Sequence, residues 1–334
     1  MDVYRHLVSF TSDLVRLSLW LVLFLAVFVP LERIFGKRSQ PVFRKSFGTD
    51  VIYYFLNGIV PKLLLTLALT VLVAGLHRLV PLAFYSSVAA MPIWIRLAGA
   101  LVVNEIGGYW GHRWSHEIPF LWRFHAIHHS AEEIDWLVTA KSHPADMFFT
   151  HLCASVPVYV LGLAQPLGNS ADSVPMAVTV LTMYWAYFIH ANVNWRFGWL
   201  EWLISTPGFH HWHHANDGPE VINKNYAATF PWADKCFGTF YLPKVWPQRY
   251  GSDTPVASGL VGQLLDPLMH YEPAFVERPG CEATAADTTR TGFTPTYLHD
   301  RRAEIAPNFP AASYVRHESA FRFVVLSGTV SSTI

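Results

Sequence analysis

The stretch that decides the fold is His112-Arg-Trp-Ser-His116, followed by His125-Ala-Ile-His128-His129 and, much further on, by His210-His211-Trp-His213-His214. Twelve of the seventeen histidines lie between positions 112 and 214, so they are concentrated rather than scattered. On an α-helix, residues three or four apart share a face. His112 then projects with His116, His125 with His128 and His129, and His210 with His213 and His214. Imidazole is the commonest biological metal ligand and suits iron, zinc and copper. Three such boxes mark a metal centre.

Composition places that centre at a membrane. The chain has 334 residues, 52% apolar and only 14% charged, against about 25% charged in an ordinary soluble domain. Its mean hydropathy is +0.25. Basic and acidic residues balance at 24 each, which gives no support to nucleic-acid binding. Cys153, Cys236 and Cys281 form no CxxC pair and no disulfide framework. They read as small, mostly buried thiols.

Five apolar stretches are candidate spans of a hydrocarbon core ~30 Å thick. They run over 17–31, over 51–76 with Pro61-Lys62 inside it, from 92 to 110, over 147–164 and over 174–189. The fold class expected is all-α: a polytopic membrane bundle of four to five spans, with a histidine-rich helical cap holding a two-metal site. Arg33, Lys37, Arg38, Arg44 and Lys45 follow the first span, which makes that loop cytoplasmic by the positive-inside rule. Alternation across the spans then brings all three boxes to the cytoplasmic side, of the plasma (inner) membrane if the chain is bacterial. The division expected is membrane spans over 1–94, a catalytic region over 95–250, and an irregular tail over 251–334, in which Phe321 to Leu326 is a candidate strand or docking segment.

The boxes over-supply a single zinc, which takes three or four protein ligands, and match two first-row metals sharing a site. Candidate ligands are His112, His116, His125, His128, His129, His210, His213 and His214. Of His210 and His211 only one faces the metal, and the HxxHH spacing favours His210. His190, alone at a span end, is on pattern either a ligand or a hydrogen-bonded core residue. His143, His211, Asn194 and Glu105 are candidates for supporting positions; His143 reads as a turn group, and Glu105, a carboxylate inside an apolar stretch, faces the protein interior. His151 reads as packed. Few carboxylates accompany the boxes, unlike the Glu-rich soluble di-iron bundles.

Together the boxes resemble those of the fatty acid hydroxylase superfamily, the integral-membrane group that contains the sterol desaturases. The flanking Ser-His-Pro at 142–144, His-Ala-Asn at 190–192 and Pro-Gly-Phe-His-His-Trp-His-His at 207–214 share the likeness, which covers roughly 95–245. The resemblance implies two iron ions, with zinc able to replace them in purified protein, O2 as co-substrate and a membrane lipid as substrate. It implies that two ferrous ions reduce O2 and that the resulting oxidant removes hydrogen from an unactivated C–H bond, giving an alcohol or an alkene. It also implies that His190 joins the ligands. Some relatives carry a further histidine where this chain has Asn194, so one metal's ligand count stays open. The chain has no Rossmann glycine fingerprint, no ferredoxin cysteine set and no haem-binding His-Pro-Gly-Gly, so electrons are expected from an external reductase, ferredoxin or cytochrome. Outside the resemblance, the alternatives are a zinc-dependent membrane enzyme, a metal transporter or a bis-histidine haem protein. Transport favours ligands at mid-membrane depth, whereas these sit at span ends.

Overall fold

The computed structural model describes residues 2–164 and 173–269. All of these lie in one compact unit, Met1–Val276, which includes both sides of position 94/95. His270, Cys281, His299, His317 and the segment 321–326 lie outside the described residues, as do residues 165–172 between the fourth and fifth apolar stretches.

The described residues are helical, with two isolated bridges, Gly36 to Val193 and Ala215 to Tyr250, and no strand. Helix α1 (Asp2–Phe35) and helix α2 (Phe47–Leu79) are long, apolar and mostly exposed along their lengths. Leu19, Val22, Leu63, Leu67 and Val71 lie open on their surfaces, a pattern that fits lipid rather than water. Pro61 is accommodated inside α2, so the apolar stretch over 51–76 lies in one helix. Helix α3 (Leu82–Ala89) meets helix α4 (Ile93–Glu117) at a bend of 111°.

By length and composition two helices are able to cross a membrane, or three if the bent pair counts as one span. Four to five were expected. The difference lies in the apolar stretches that form helix α6 (Pro144–Val160) and helix α7 (Ser173–His190). Each has one end at the polar groups of the histidine region: α6 begins behind His143 with Asp146 in its first turn, and α7 ends at His190.

The polar end of the bundle is built by short elements. Helix α5 (Pro119–His129) follows α4 after one residue, with Pro119 at its first position, where the missing N–H costs nothing. Helix α8 (Pro207–His213) starts behind Thr206, whose hydroxyl accepts from the Phe209 amide at 3.3 Å. Helix α9 (Trp232–Phe237) follows, and helix α10 (Leu260–Met269) replaces the start of the expected irregular tail with a packed helix. Leu264 accepts from His143 Nε2 at 3.2 Å, and the Pro267 carbonyl accepts from Arg123.

Two features set the framework. Gly107 and Gly111 lie one turn apart on α4, and a Cβ on Gly107 would stand 2.2 Å from the Cys153 carbonyl oxygen of α6. The helices therefore approach backbone to backbone, the small-residue packing familiar in membranes. The second is a buried fork. Arg44 donates through Nε and Nη2 to the two oxygens of Asp135 at 2.7 and 2.8 Å, and through Nη1 to Asp50 at 2.6 Å. Asp135 also caps the 3-10 turn Trp136–Ala140 by accepting from Leu137 and Val138 amides. Glu32 accepts from the amides of Trp136 and Asn192, both at 2.9 Å. The end of α1, the 36–46 linker, the 3-10 turn and the end of α7 are thereby tied together.

The expectation of buried thiols fails for Cys236, which is exposed; Cys153 is half-buried. His151 is exposed on α6 rather than packed.

Gly107→Ala is expected to force α4 and α6 apart. Overpacking of this kind costs about 1–3 kcal/mol, so the midpoint of thermal unfolding in detergent should fall by several degrees. An unchanged midpoint would contradict the close approach.

Candidate metal centre

Nine imidazoles from four helices converge at the polar end in two groups. The first is His112 and His116 of α4, His125 and His129 of α5, and His213 of α8; the second is His128 of α5, His190 of α7, and His210 and His214 at the end of α8. Within each group all candidate donor atoms lie within 4.8 Å of one another. Each HxxHH box serves both. Its i/i+4 pair goes to one group and its middle histidine to the other: His125 and His129 against His128 on α5, and His210 and His214 against His213 on α8. The groups touch through ring contacts such as His129 with His214, centroids 4.4 Å apart.

Hydrogen bonds fix the tautomers of five of the nine rings. Nδ1 of His112 lies 2.7 Å from the Tyr226 carbonyl, that of His128 3.0 Å from Lys141 O, that of His190 2.8 Å from Ala186 O, and that of His213 2.9 Å from Lys224 O. A carbonyl only accepts, so in each ring Nδ1 carries the proton and Nε2 keeps its lone pair. Nδ1 of His125 is 2.9 Å from Asp146 Oδ2, the carboxylate–histidine pairing common behind metal ligands. The Nε2 atoms of these rings face one another and those of His210 and His214, whose Nδ1 atoms are buried without a hydrogen-bond partner. His112 and His125 are 3.1 Å apart, His128 and His190 3.2 Å, His190 and His210 3.0 Å, and His190 and His214 3.2 Å.

Two bare lone pairs at such distances repel. Two nitrogens bound to one ion at ~2.0–2.1 Å would stand about 2.9–3.4 Å apart. Nε2 of His116, His129 and His213 is buried with no hydrogen-bond partner, a state costing about 1–3 kcal/mol per group. Burial, and after it the neighbouring imidazoles, holds His128, His129 and His214 well below the ordinary value of 6.5. The same holds for His210 and His213. Neutral rings with inward lone pairs are the donor set a first-row cation requires, so the residues fit two metal ions.

The supporting candidates divide. His211 points away from both groups. Its Nδ1 accepts from Tyr250 Oη at 2.7 Å, and Nε2 donates to Ala191 O at 3.2 Å. Burial pushes it down to about 3. His143 caps α6 by accepting from the Ala145 amide, so it is a turn group. Glu105 is buried and accepts from the Thr229 amide at 3.0 Å, holding the loop after α8 rather than joining either group. Asn194 is exposed, its backbone amide donating to Phe35 O at 2.8 Å, and it stands outside both groups.

The sequence did not single out Asp146 or the loop at 223–241. Asp146 accepts from Ser115 and Ser142 as well as from His125, at 3.0, 2.8 and 2.9 Å. An acidic residue in the first turn of a helix that opens Ser-His-Pro was the available signal, but helix capping explains it equally well. The loop presents Lys224 O and Tyr226 O through Asn223 and Asn225, at φ 62° and 59°, the left-handed region that asparagine tolerates. Asp234 holds it by accepting from the amides of Tyr226 and Ala227 at 2.8 and 2.9 Å.

The family model described as fatty acid hydroxylase matches residues 97–239, a region that holds all nine histidines. The chain is 34% identical over 180 residues to an ornithine lipid hydroxylase of Rhizobium tropici, covering 53% of this chain and 51% of that one. It is 29% identical over 231 residues to alkylglycerol monooxygenase of Homo sapiens, covering 64% and 50%. It is also 29% identical over 158 residues to a Delta(7)-sterol 5(6)-desaturase of Gibberella zeae, covering 45% and 43%. The chain thus spans about half the length of these curated relatives, or less. No solved structure matches it.

Asp146→Ala removes the acceptor behind His125 and should lower metal affinity by about 10–100-fold. Competition with a chromophoric chelator measures it; wild-type affinity in the variant would show that His125 needs no such partner.

Proposed function

We propose that this chain is a membrane-bound, O2-dependent lipid oxidoreductase that holds two iron ions, one in each histidine group, and hydroxylates or desaturates a C–H bond of a lipid. The observation that carries the reading is the pair of adjacent imidazole groups, in which five rings have their protons turned outward and their lone pairs turned in. His112, His116, His125, His129 and His213 would hold one ion, and His128, His190, His210 and His214 the other. When bound, the ions supply the activation of O2, chemistry that no side chain performs.

The protein's own contribution is positional. Tyr226 O, Lys141 O, Ala186 O, Lys224 O and Asp146 each hold one ring proton outward, so that His112, His128, His190, His213 and His125 need no change of tautomer to bind. The ring of Tyr226 packs on His112, His116 and His213, and that of Trp122 on His116 and His129, apolar cover that would help keep water from a reactive oxidant. Names among the relatives (an ornithine lipid hydroxylase, alkylglycerol monooxygenases, sterol desaturases) support a lipid with a polar head as substrate class. The basic residues after α1 support a cytoplasmic placing of both groups, and α6 and α7 would complete the four to five spans if they penetrate the bilayer. The reaction takes electrons from an external reductase, ferredoxin or cytochrome.

Two measurements test this. Purified iron-loaded protein should carry about two irons per protomer, and His128→Ala should lose iron from its group; full iron in that variant would remove His128 from the ligands. Incubated with membrane lipid extract, reductant and 18O2, the wild type should yield a lipid alcohol carrying one 18O, or an alkene with the label in water. Unchanged lipid from fully loaded protein would contradict the oxygenase reading.

A further inference from the structure

Resting on that oxygenase reading, the structure points to the place where electrons enter. Hydroxylation inserts one oxygen atom into the C–H bond and reduces the other to water, which takes two electrons and two protons from outside the substrate. The last segment before α10 forms, with the linker after α1, a groove of about 520 Å³ lined by Lys37, Arg38, Lys244, Trp246, Pro247 and Gln248. Lys37 and Lys244 are exposed and make no ion pair among the described residues. Arg38 is held in place, donating to the Pro247 and Gln248 carbonyls at 2.6 and 2.9 Å, with its guanidinium 4.0 Å from the centre of the Tyr250 ring. Lys37 Nζ stands 5.6 Å from the centre of Trp246. Arg249 adds a further exposed cation at the rim, beside Asp217, which accepts from the Gln248 and Arg249 amides.

Behind this basic surface the rings run inward without a gap. Trp246 and Tyr250 both pack on His211, with centroids 5.3 and 5.4 Å away. His211 receives the Tyr250 hydroxyl proton at 2.7 Å and donates to the carbonyls of His190 and Ala191 at 3.4 and 3.2 Å. His190 is in the four-histidine group. One packed chain therefore joins a cationic groove to one metal position.

We propose that this groove docks the acidic face of a one-electron carrier protein, and that Trp246, Tyr250 and His211 form the route from it to the four-histidine group. Two reduced carriers dock in turn; each gives up one electron and leaves oxidised. Redox partners of this kind make small, weak, charge-steered interfaces, which a groove with a few cations suits. An anionic lipid headgroup would also be drawn to these cations, but it has no use for a ring path leading to the metal.

The test uses the full chain in neutral detergent and two acidic probes, a plant-type [2Fe–2S] ferredoxin and the soluble haem domain of cytochrome b5. Lys37→Glu/Lys244→Glu should weaken binding of at least one probe by about tenfold or more, and wild-type affinity should fall steeply with added NaCl. In stopped flow, oxidation of the reduced probe by the variant should slow at sub-saturating concentration while its iron content matches wild type. Binding of neither probe, or an affinity the charge reversal leaves unchanged, overturns the proposal. So does a variant that keeps its carrier affinity but loses binding to short-chain phosphatidylglycerol, which would make the groove a headgroup site. Iron content and dithionite-driven lipid oxidation by the wild type report on the oxygenase reading separately, so a failed docking surface is distinguishable from a failed enzyme assignment.

Discussion

Everything at the polar end of this protein serves one constraint, that imidazole lone pairs face inward across about 3 Å. Neutral histidines left to themselves would hydrogen-bond to one another and collapse the arrangement into a chain of donors and acceptors. Here the outward Nδ1 protons are claimed first, by four backbone carbonyls and one carboxylate. What remains are Nε2 lone pairs on those five rings, turned toward the other imidazoles of the two groups. Such an arrangement costs free energy when the chain folds around nothing, and a cation offsets it.

The scaffold explains how that cost is sustained. Carbonyls make good tautomer locks only if they do not move, and each is on a segment held elsewhere. Lys141 closes the 3-10 turn that Asp135 caps and Arg44 grips. Lys224 and Tyr226 lie in a loop pinned by Asn225 and Asp234, and Ala186 is in the body of α7. Asp146 reaches His125 because Gly107 and Gly111 let α6 lie directly against α4. A buried ion pair such as Arg44 with Asp135 is weak evidence for stability in itself. Its use here is to join three parts of the chain, the linker, α2 and the 3-10 turn, into one frame behind His128.

Much of this was legible in the sequence, for a physical reason. The i/i+3/i+4 spacing of the boxes is a property of the helix itself, so the sharing of faces needed no tertiary knowledge, and the choice of His210 over His211 followed from the same spacing. His190 stayed ambiguous on pattern because its partners come from α5 and α8. The division of each HxxHH box between two groups was also hidden, since it depends on which helix faces which. Asp146 and the Arg44 fork join positions far apart in the chain, and Asn194 carried a question that only its exposure resolves. Length and composition pick out two spans, or three with the bent pair, because α6 and α7 are shorter or less uniformly apolar than α1 and α2.

The most direct test of the two-group arrangement is anomalous diffraction at the iron edge from crystals of the iron-loaded protein. Two peaks should appear, one among His112, His116, His125, His129 and His213, and one among His128, His190, His210 and His214. A single peak shared by both groups, or iron lying outside them, would contradict it.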